Sequence, residues 1–284
     1  MGIQFDLRSA VFFNAVIGLV FFLYTLYFGR MHRTHPGFRE WMLSSLFYFV
    51  SQTLIGLRGH IPDWASIVVG GNVLQLLTCT FLAEGLGQFF GQTSRLRWLS
   101  VPPVIGLITG SYFTYLAPNL AARIITVSLF TLPALVYGLW LMRLAARSFS
   151  LASSFWLVLT LGGLIALNLA RAAETASADI APLSDLMRAP ISQSYFALLL
   201  SLFVLALYLG LLGLHSRRTE VELNTALVEL NALEGMLPIC SYCKKIRDEK
   251  GEWNQLEAYI SDRSAAEFTH GYCPECATKF IKDL

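Results

Sequence analysis

Apolar residues run along this chain in long, nearly unbroken blocks, without the polar alternation of a half-buried strand. Seven blocks come near the roughly 20 residues that a helix needs to cross a hydrocarbon core. They are Ala10–Phe28, Met42–Leu57, Ile67–Phe90, Leu99–Leu116, Leu120–Met142, Leu151–Ala173 and Ile191–Leu214. The second is the shortest and reaches spanning length only with Trp41 and its flanks. Ala117-Pro118-Asn119 separates the fourth from the fifth, a tight turn through which a helix does not continue. After the seventh block the period changes. Leu223, Ala226, Leu230, Leu233 and Leu237 alternate at spacings of three and four, the seam of a short coiled coil. The expected organisation is an all-α polytopic membrane domain over residues 1–215, a linker helix over 216–236 and a small polar module over 237–284.

Composition and charge add orientation. Hydrophobic residues make up 55% of the chain and charged residues 14%, which selects the membrane class. All five lysines lie in the last 41 residues. The net charge of +2 is too small to argue for nucleic acid. Arginines cluster after the first, third, fifth and seventh blocks: Arg30, Arg33 and Arg39; Arg95 and Arg97; Arg143 and Arg147; Arg217 and Arg218. The opposite junctions carry scattered Arg8, Arg58, Arg123 and Arg188 beside Asp6, Asp63, Asp179 and Asp185. Positive residues stay inside, so seven helices run N-out and C-in across a bacterial inner membrane, with a cytoplasmic C-terminus. The first block lacks a basic leader and a small-residue cleavage site, and is expected to be a retained anchor. The largest connector, around Ala176–Arg188, is too short for an extracellular domain.

Polar residues within the blocks are costly in lipid unless paired. Glu84 lies in the third helix with Asn72 and Gln75 above it, while Asn14, Gln52 and Asn168 are neutral. Arg171 and Glu174, three apart, share a helix face. Two readings stand: a ligand pocket or proton-linked site near Arg171, Glu174 and Arg58, or interhelical hydrogen bonds with interfacial anchoring. Gly106 and Gly110 fit close helix packing. The blocks hold no lysine, which excludes a retinal Schiff base. All five histidines fall outside them, which argues against buried bis-histidine haems.

The tail carries two C-x-x-C pairs, Cys240/Cys243 and Cys273/Cys276, separated by 29 residues. Four thiolates suit tetrahedral zinc, and in a reducing compartment disulfides are disfavoured. A module this small also gains its folding free energy from metal. Structural Zn²⁺ is therefore expected, with a redox dithiol or an iron–sulfur site as the other readings. The order of elements predicts a treble-clef-like α+β finger: a hairpin after the first pair, turning at Asp248–Gly251, and a short helix after the second. Leu256, Tyr259 and Ile260 are expected to pack with Trp253 and Phe268. His270 either joins the ligands or supports one of them. Cys79, alone in the third helix, is expected to be a small buried apolar group.

Two resemblances follow from these residues. His35-Pro36-Gly37-Phe38-Arg39-x-Trp41, Arg58-Gly59 and Pro62-Asp63-Trp64-x-Ser66-Ile67 resemble the N-terminal membrane region of bacterial diguanylate cyclases and sensor kinases. That resemblance implies a sensory input region, although neither a GGDEF motif nor a kinase histidine box is present. Leu237-Pro-Ile-Cys240-x-x-Cys243-Lys-Lys-Ile-Arg-Asp248, Gly251-x-Trp253, Leu256-Glu257-x-Tyr259-Ile260 and Phe268-x-His270-Gly271-x-Cys273-Pro274-x-Cys276 resemble the cysteine-rich module found after receiver and PAS domains. It implies membership of a signalling chain such as a two-component system. The combined expectation is a membrane sensor without enzymatic activity. It sits in the lipid bilayer and docks a cytoplasmic signalling protein, and its linker helix either pairs it with a second copy or lies as a single amphipathic helix on lipid or on its own domain. The alternatives are a transporter or membrane enzyme with a polar site among its helices, and a thiol-based redox sensor.

Overall fold

The computed structural model describes residues 7–145, 151–177, 191–234, 238–248, 250–264 and 266–282. Asp6, Arg147, the connector with Asp179, Asp185 and Arg188, and Leu237 of the heptad seam lie outside the described residues, as do the side chains of Leu230 and Leu233. By contacts the chain divides into two units, Met1–Arg217 and Arg218–Leu284.

The first unit is a helix bundle. Helix α1 covers Leu7–Met31, α2 Phe38–Gly56, α3 Trp64–Phe89, α4 Leu96–Leu116, α5 Leu120–Ala145, α6 Leu151–Ser177 and α7 Ile191–Glu234. Six of them, all but α2, are long and apolar enough to cross a membrane. Helix α2 falls short because its first turn carries Arg39 and Glu40 and its body carries serines and Gln52. Those serines serve its packing. Ser44 Oγ donates to the Thr78 carbonyl at 2.9 Å and Ser51 Oγ to the Gly70 carbonyl at 2.7 Å, which ties α2 to α3.

Two helices are wound irregularly. Trp64–Leu74 of α3 and Tyr112–Leu116 of α4 form wide π-helical turns. Such turns are bonded i→i+5, and within the first of them Asn72 Nδ2 also donates to the Ile67 carbonyl five residues back at 2.7 Å. Helix α5 starts sharply after Pro118 because Asn119 Oδ1 accepts from Ala122 N at 2.9 Å, a side-chain cap.

Glycines set the closest approaches. Gly37, at φ 90°, opens α2, and a Cβ there would stand 2.0 Å from the Gly85 carbonyl oxygen of α3. Gly106 and Gly110 of α4 lie against Leu76 and Asn72 of α3; added Cβ atoms would meet them at 2.4 and 2.9 Å. The core fills one half of the bundle, where Trp41, Leu86, Phe89, Met142, Leu157, Leu161 and Leu211 are buried together. Outside, Phe12, Val20 and Leu202 stand exposed, as lipid-facing residues do.

In the second unit, strands β1 (Ile246–Arg247) and β2 (Trp253–Asn254) form an antiparallel pair with Ile246 opposite Asn254 and Arg247 opposite Trp253. Helix α8 covers Leu256–Ser261 and α9 Pro274–Lys282. Asp248 ties the turn: Oδ1 accepts from Lys250 N at 3.0 Å and Glu252 N at 2.8 Å, and Oδ2 accepts from Asn254 Nδ2 at 2.8 Å. The expected miniature core is only partly formed. Trp253 is 47% exposed and Phe268 42%, while Ile246 is the one fully buried hydrophobic side chain among the unit's described residues. A segment this short has too little interior to enclose large aromatics.

Candidate functional site

The half of the bundle opposite the core is hollow. A cavity of about 160 Å³ lies among α1, α2, α3, α5, α6 and α7. Its lining reaches Leu7, Arg58 and Leu120, which stand at or just beyond the terminal turns of α1, α2 and α5, so it extends to the end of the bundle where α1 begins. At 1.5 Å rise per residue the α5 lining, from Leu120 to Leu135, is roughly 22 Å deep.

Charge is confined to one end. Arg58, Arg123 and Arg171 line the shallow part, Gln52, Asn72, Gln75 and Asn168 the middle, and Leu82, Leu135, Leu164, Val204 and Leu207 the depth, together with the hydroxyls of Ser44, Thr78, Thr131 and Tyr208. The middle layer is knitted together. Gln52 Nε2 donates to Gln75 Oε1 at 3.1 Å, and Ser51 Oγ, whose proton goes to the Gly70 carbonyl, lies 3.3 Å from the same oxygen. Tyr48 OH donates to Asn14 Oδ1, while Asn14 Nδ2 donates to the Ala10 carbonyl at 3.1 Å and the Ala197 carbonyl of α7 at 3.4 Å. Tyr208 OH and Ser44 Oγ meet at 3.4 Å near the floor.

The polar residues singled out in the sequence separate into two groups. Arg58, Arg171, Asn14, Gln52, Asn72, Gln75 and Asn168 all line the cavity, as does Cys79. Glu174 sits behind Arg171, with Gln193 of α7 between them. Arg171 Nε donates to Gln193 Oε1 at 3.0 Å, and Gln193 Nε2 donates to Glu174 Oε2 at 2.9 Å. Ser192 Oγ adds a 2.7 Å bond to Glu174 Oε1, so the carboxylate fastens α7 to α6. Glu84 lies elsewhere. Buried at 2% exposure, it accepts from Gln88 Nε2 and from Arg95 N, each at 2.9 Å, and so anchors the connection between α3 and α4.

Sequence reasoning placed Arg123 only among the scattered junction arginines, yet it is 7% exposed and faces the cavity. Charge at the start of an apolar block reads as interfacial, and nothing local says which way the side chain turns. His215 was also missed: it follows the seventh block, but α7 continues through it and leaves it 2% exposed. Its ring packs 4.8 Å from His35 and 4.9 Å from Phe38 at the core end of the bundle. The other histidines are exposed or half-buried.

In the second unit each cysteine pair is formed by its own turn. Cys240 N donates to the Lys245 carbonyl at 2.8 Å and Lys244 N to the Cys240 carbonyl at 3.0 Å; Lys244, at φ 59°, takes the left-handed conformation that closes the knuckle. Cys273 precedes α9, and Cys276 lies in its first turn. The Cys240 thiol is held below its ordinary value chiefly by the Cys243 backbone N–H, then by that of Tyr242. The Cys276 backbone N–H and thiol do the same for Cys273. Cys243, Cys273 and Cys276 are exposed. Among the described residues no group of three or more His, Cys, Asp or Glu is placed to hold a metal, His270 included. The chemistry of the donors, four soft sulfurs paired in two turns, nevertheless fits zinc.

Comparison with protein-family models, with curated proteins and with solved structures finds no match to this chain.

Proposed function

We propose that the chain is a bacterial inner-membrane sensor in which occupancy of the bundle cavity is relayed through α7 to a zinc-stabilised cytoplasmic module. One observation carries the reading. Helix α7 lines the cavity from Ala197 to Tyr208 and continues without interruption to Glu234, close in sequence to Cys240. A ligand that favours one arrangement of α7 acts on everything attached to that helix, provided it binds two bundle states unequally.

In this reading α2 is the seventh span. Its polar residues are tolerated because α1 and α3 cover it, and the N-out, C-in orientation follows the arginine bias. The linker part of α7 pairs two copies, Cys240, Cys243, Cys273 and Cys276 hold Zn²⁺, and the module docks a signalling protein. Zinc would supply the folding energy of the tail, and the chain itself would catalyse nothing.

Hydrogen exchange on the full-length protein in lipid nanodiscs tests the relay. Filling the cavity with Thr131→Phe should change protection in Val221–Glu234 and in the tail, and adding Leu230→Pro should abolish that response while leaving zinc content intact. Unchanged tail protection on filling the cavity sinks the relay. A periplasm-specific reporter active after Leu284 sinks the orientation.

A further inference from the structure

The hydroxyls at the deep end of the cavity form a directed chain. Ser44 Oγ of α2 donates to the Thr78 carbonyl at 2.9 Å, so its proton is committed and only its lone pairs can meet Tyr208 OH of α7, 3.4 Å away. Tyr208 is therefore the donor in that contact, and its own oxygen is left as an acceptor. The other deep hydroxyls are spent in the same sense. Thr78 Oγ1 donates to the Leu74 carbonyl at 2.9 Å and Thr131 Oγ1 to the Ser128 carbonyl at 2.8 Å. What these oxygens have left is lone pairs. The deep end therefore offers acceptors, and Tyr208 stands at the head of a chain whose members polarise one another.

Neither an ion nor water alone suits this end. The charged residues of the lining, Arg58, Arg123 and Arg171, stand at the opposite end, and each already has a partner within the protein. An ionised ligand beside Tyr208 would lie buried without a counter-charge. Leu82, Leu135, Leu164 and Val204 line the same depth as the hydroxyls. A buried water typically makes about three hydrogen bonds, and leucine and valine offer it none. Hydrocarbon suits those walls.

We infer that the deep end of the cavity binds a small uncharged alcohol, its hydroxyl donating to Tyr208 OH and its hydrocarbon body lying against Leu135, Leu164 and Val204. The ligand's proton extends the chain through Tyr208 and Ser44 to the Thr78 carbonyl, so a molecule of the same shape without a proton to donate leaves Tyr208 facing a second acceptor. The cavity volume of about 160 Å³ is close to the roughly 150 Å³ of an engineered cavity that takes benzene, so the body has about six carbons. The inference rests on reading this cavity as the input site, and it names the ligand class of that site.

Equilibrium binding of radiolabelled 1-hexanol to the full-length protein in phosphatidylcholine nanodiscs tests it, with binding to empty discs subtracted. The competitors are 1-methoxypentane, which matches hexanol in size but has no proton to donate, and the ions hexanoate and hexylammonium. Saturable binding of one hexanol per chain is expected, with the ether competing at least about tenfold more weakly and the ions more weakly still. Tyr208→Phe removes the accepting oxygen and should weaken hexanol about tenfold while changing the ether little, so that the two bind alike. Ser44→Ala breaks the chain one step further back and should narrow the preference by a smaller factor. Thermal unfolding of each variant separates lost binding from lost fold, and Ser44→Ala serves if Tyr208→Phe does not fold. Ether binding as tightly as hexanol, displacement of hexanol by hexanoate at equal concentration, or an unchanged preference in folded Tyr208→Phe overturns the inference. So does the absence of saturable binding above empty discs, which leaves the cavity to water. Hexanol binding without change in tail exchange keeps the ligand class and removes the relay; a tail response to Thr131→Phe without hexanol binding does the reverse.

Discussion

In the bundle, Leu86, Met142, Leu157 and Leu161 are each 0% exposed and touch side chains from distant parts of the sequence. In the tail, among the described residues, Ile246 alone reaches that enclosure, while Trp253, Phe268 and Tyr272 remain 47%, 42% and 69% exposed. The tail is held instead by short-range polar ties: two cysteine turns, a two-residue strand pair and the carboxylate of Asp248. One region is ordered by packing that the chain supplies to itself. The other has the turns of a fold without its interior, the situation in which a bound metal does the work of a core.

The sharpest way to break this comparison is to load the tail with the zinc proposed for it and then remove it. Chelation of the zinc-loaded protein, or Cys243→Ser, should unfold residues 238–282, since structural zinc contributes about 10 kcal/mol or more to modules of this kind. Protease sensitivity of the tail and zinc content by elemental analysis measure the change, and the melting of the bundle should not move. A tail that keeps its protection without zinc would place it with the bundle, as a self-sufficient fold.

A smaller effect separates the glycines of the two regions. Gly37→Ala should destabilise the bundle by about 3 kcal/mol, because it joins a left-handed backbone to a Cβ 2.0 Å from the Gly85 oxygen. Gly271→Ala in the tail, where nothing lies within 4 Å, should shift stability by less than about 0.5 kcal/mol. Thermal unfolding in nanodiscs reads the first and denaturant titration of the tail the second. Equal effects would mean that the tail is as closely packed as the bundle.

Polar ties inside the bundle should be weaker than its packing. Asn14→Leu removes the acceptor of Tyr48 OH and two carbonyl bonds, and is expected to cost about 1 kcal/mol, the scale measured for hydrogen bonds between membrane helices. A loss as large as that of Gly37→Ala would make the polar layer, and not the glycine contacts, the principal tie.

The smallest effect is pH-linked and confined to the tail. Backbone N–H groups, first that of Glu252, hold the Asp248 carboxyl below its ordinary value of 3.8. A depressed carboxyl stabilises the fold above its unfolded value, and the stabilisation is lost as pH falls through the folded one. A carboxyl NMR titration should therefore place the Asp248 midpoint below 3.8, and Asp248→Asn should loosen the turn slightly at neutral pH. A midpoint at or above 3.8 would show that the turn is not ordered in solution.

Much of the fold was legible because its signals are local. Block length and hydropathy gave the helices of the bundle, Pro118 and Asn119 gave the turn before α5, and Asp248–Gly251 gave the hairpin. The wide turns of α3 were not legible, since an apolar block reads the same whether it is wound with i→i+4 or i→i+5 bonds. Nor was the partly polar character of α2 a guide to its place; it lies against α3 because its serines bond carbonyls more than fifteen residues away.

The sequence by itself determined the helices, the polar residues inside them and the paired cysteines, for these follow from residue type and spacing along one stretch of chain. Only the tertiary structure decided which polar residues act together. It sent Glu84 to a connection, placed Gln193 between Arg171 and Glu174, enclosed His215, and set Arg123 in the wall of the cavity that Ser66 and Asn168 also line. The physical reason is that a helix fixes where a residue points relative to its own axis, whereas the six helices around the cavity must pack before any direction becomes inside.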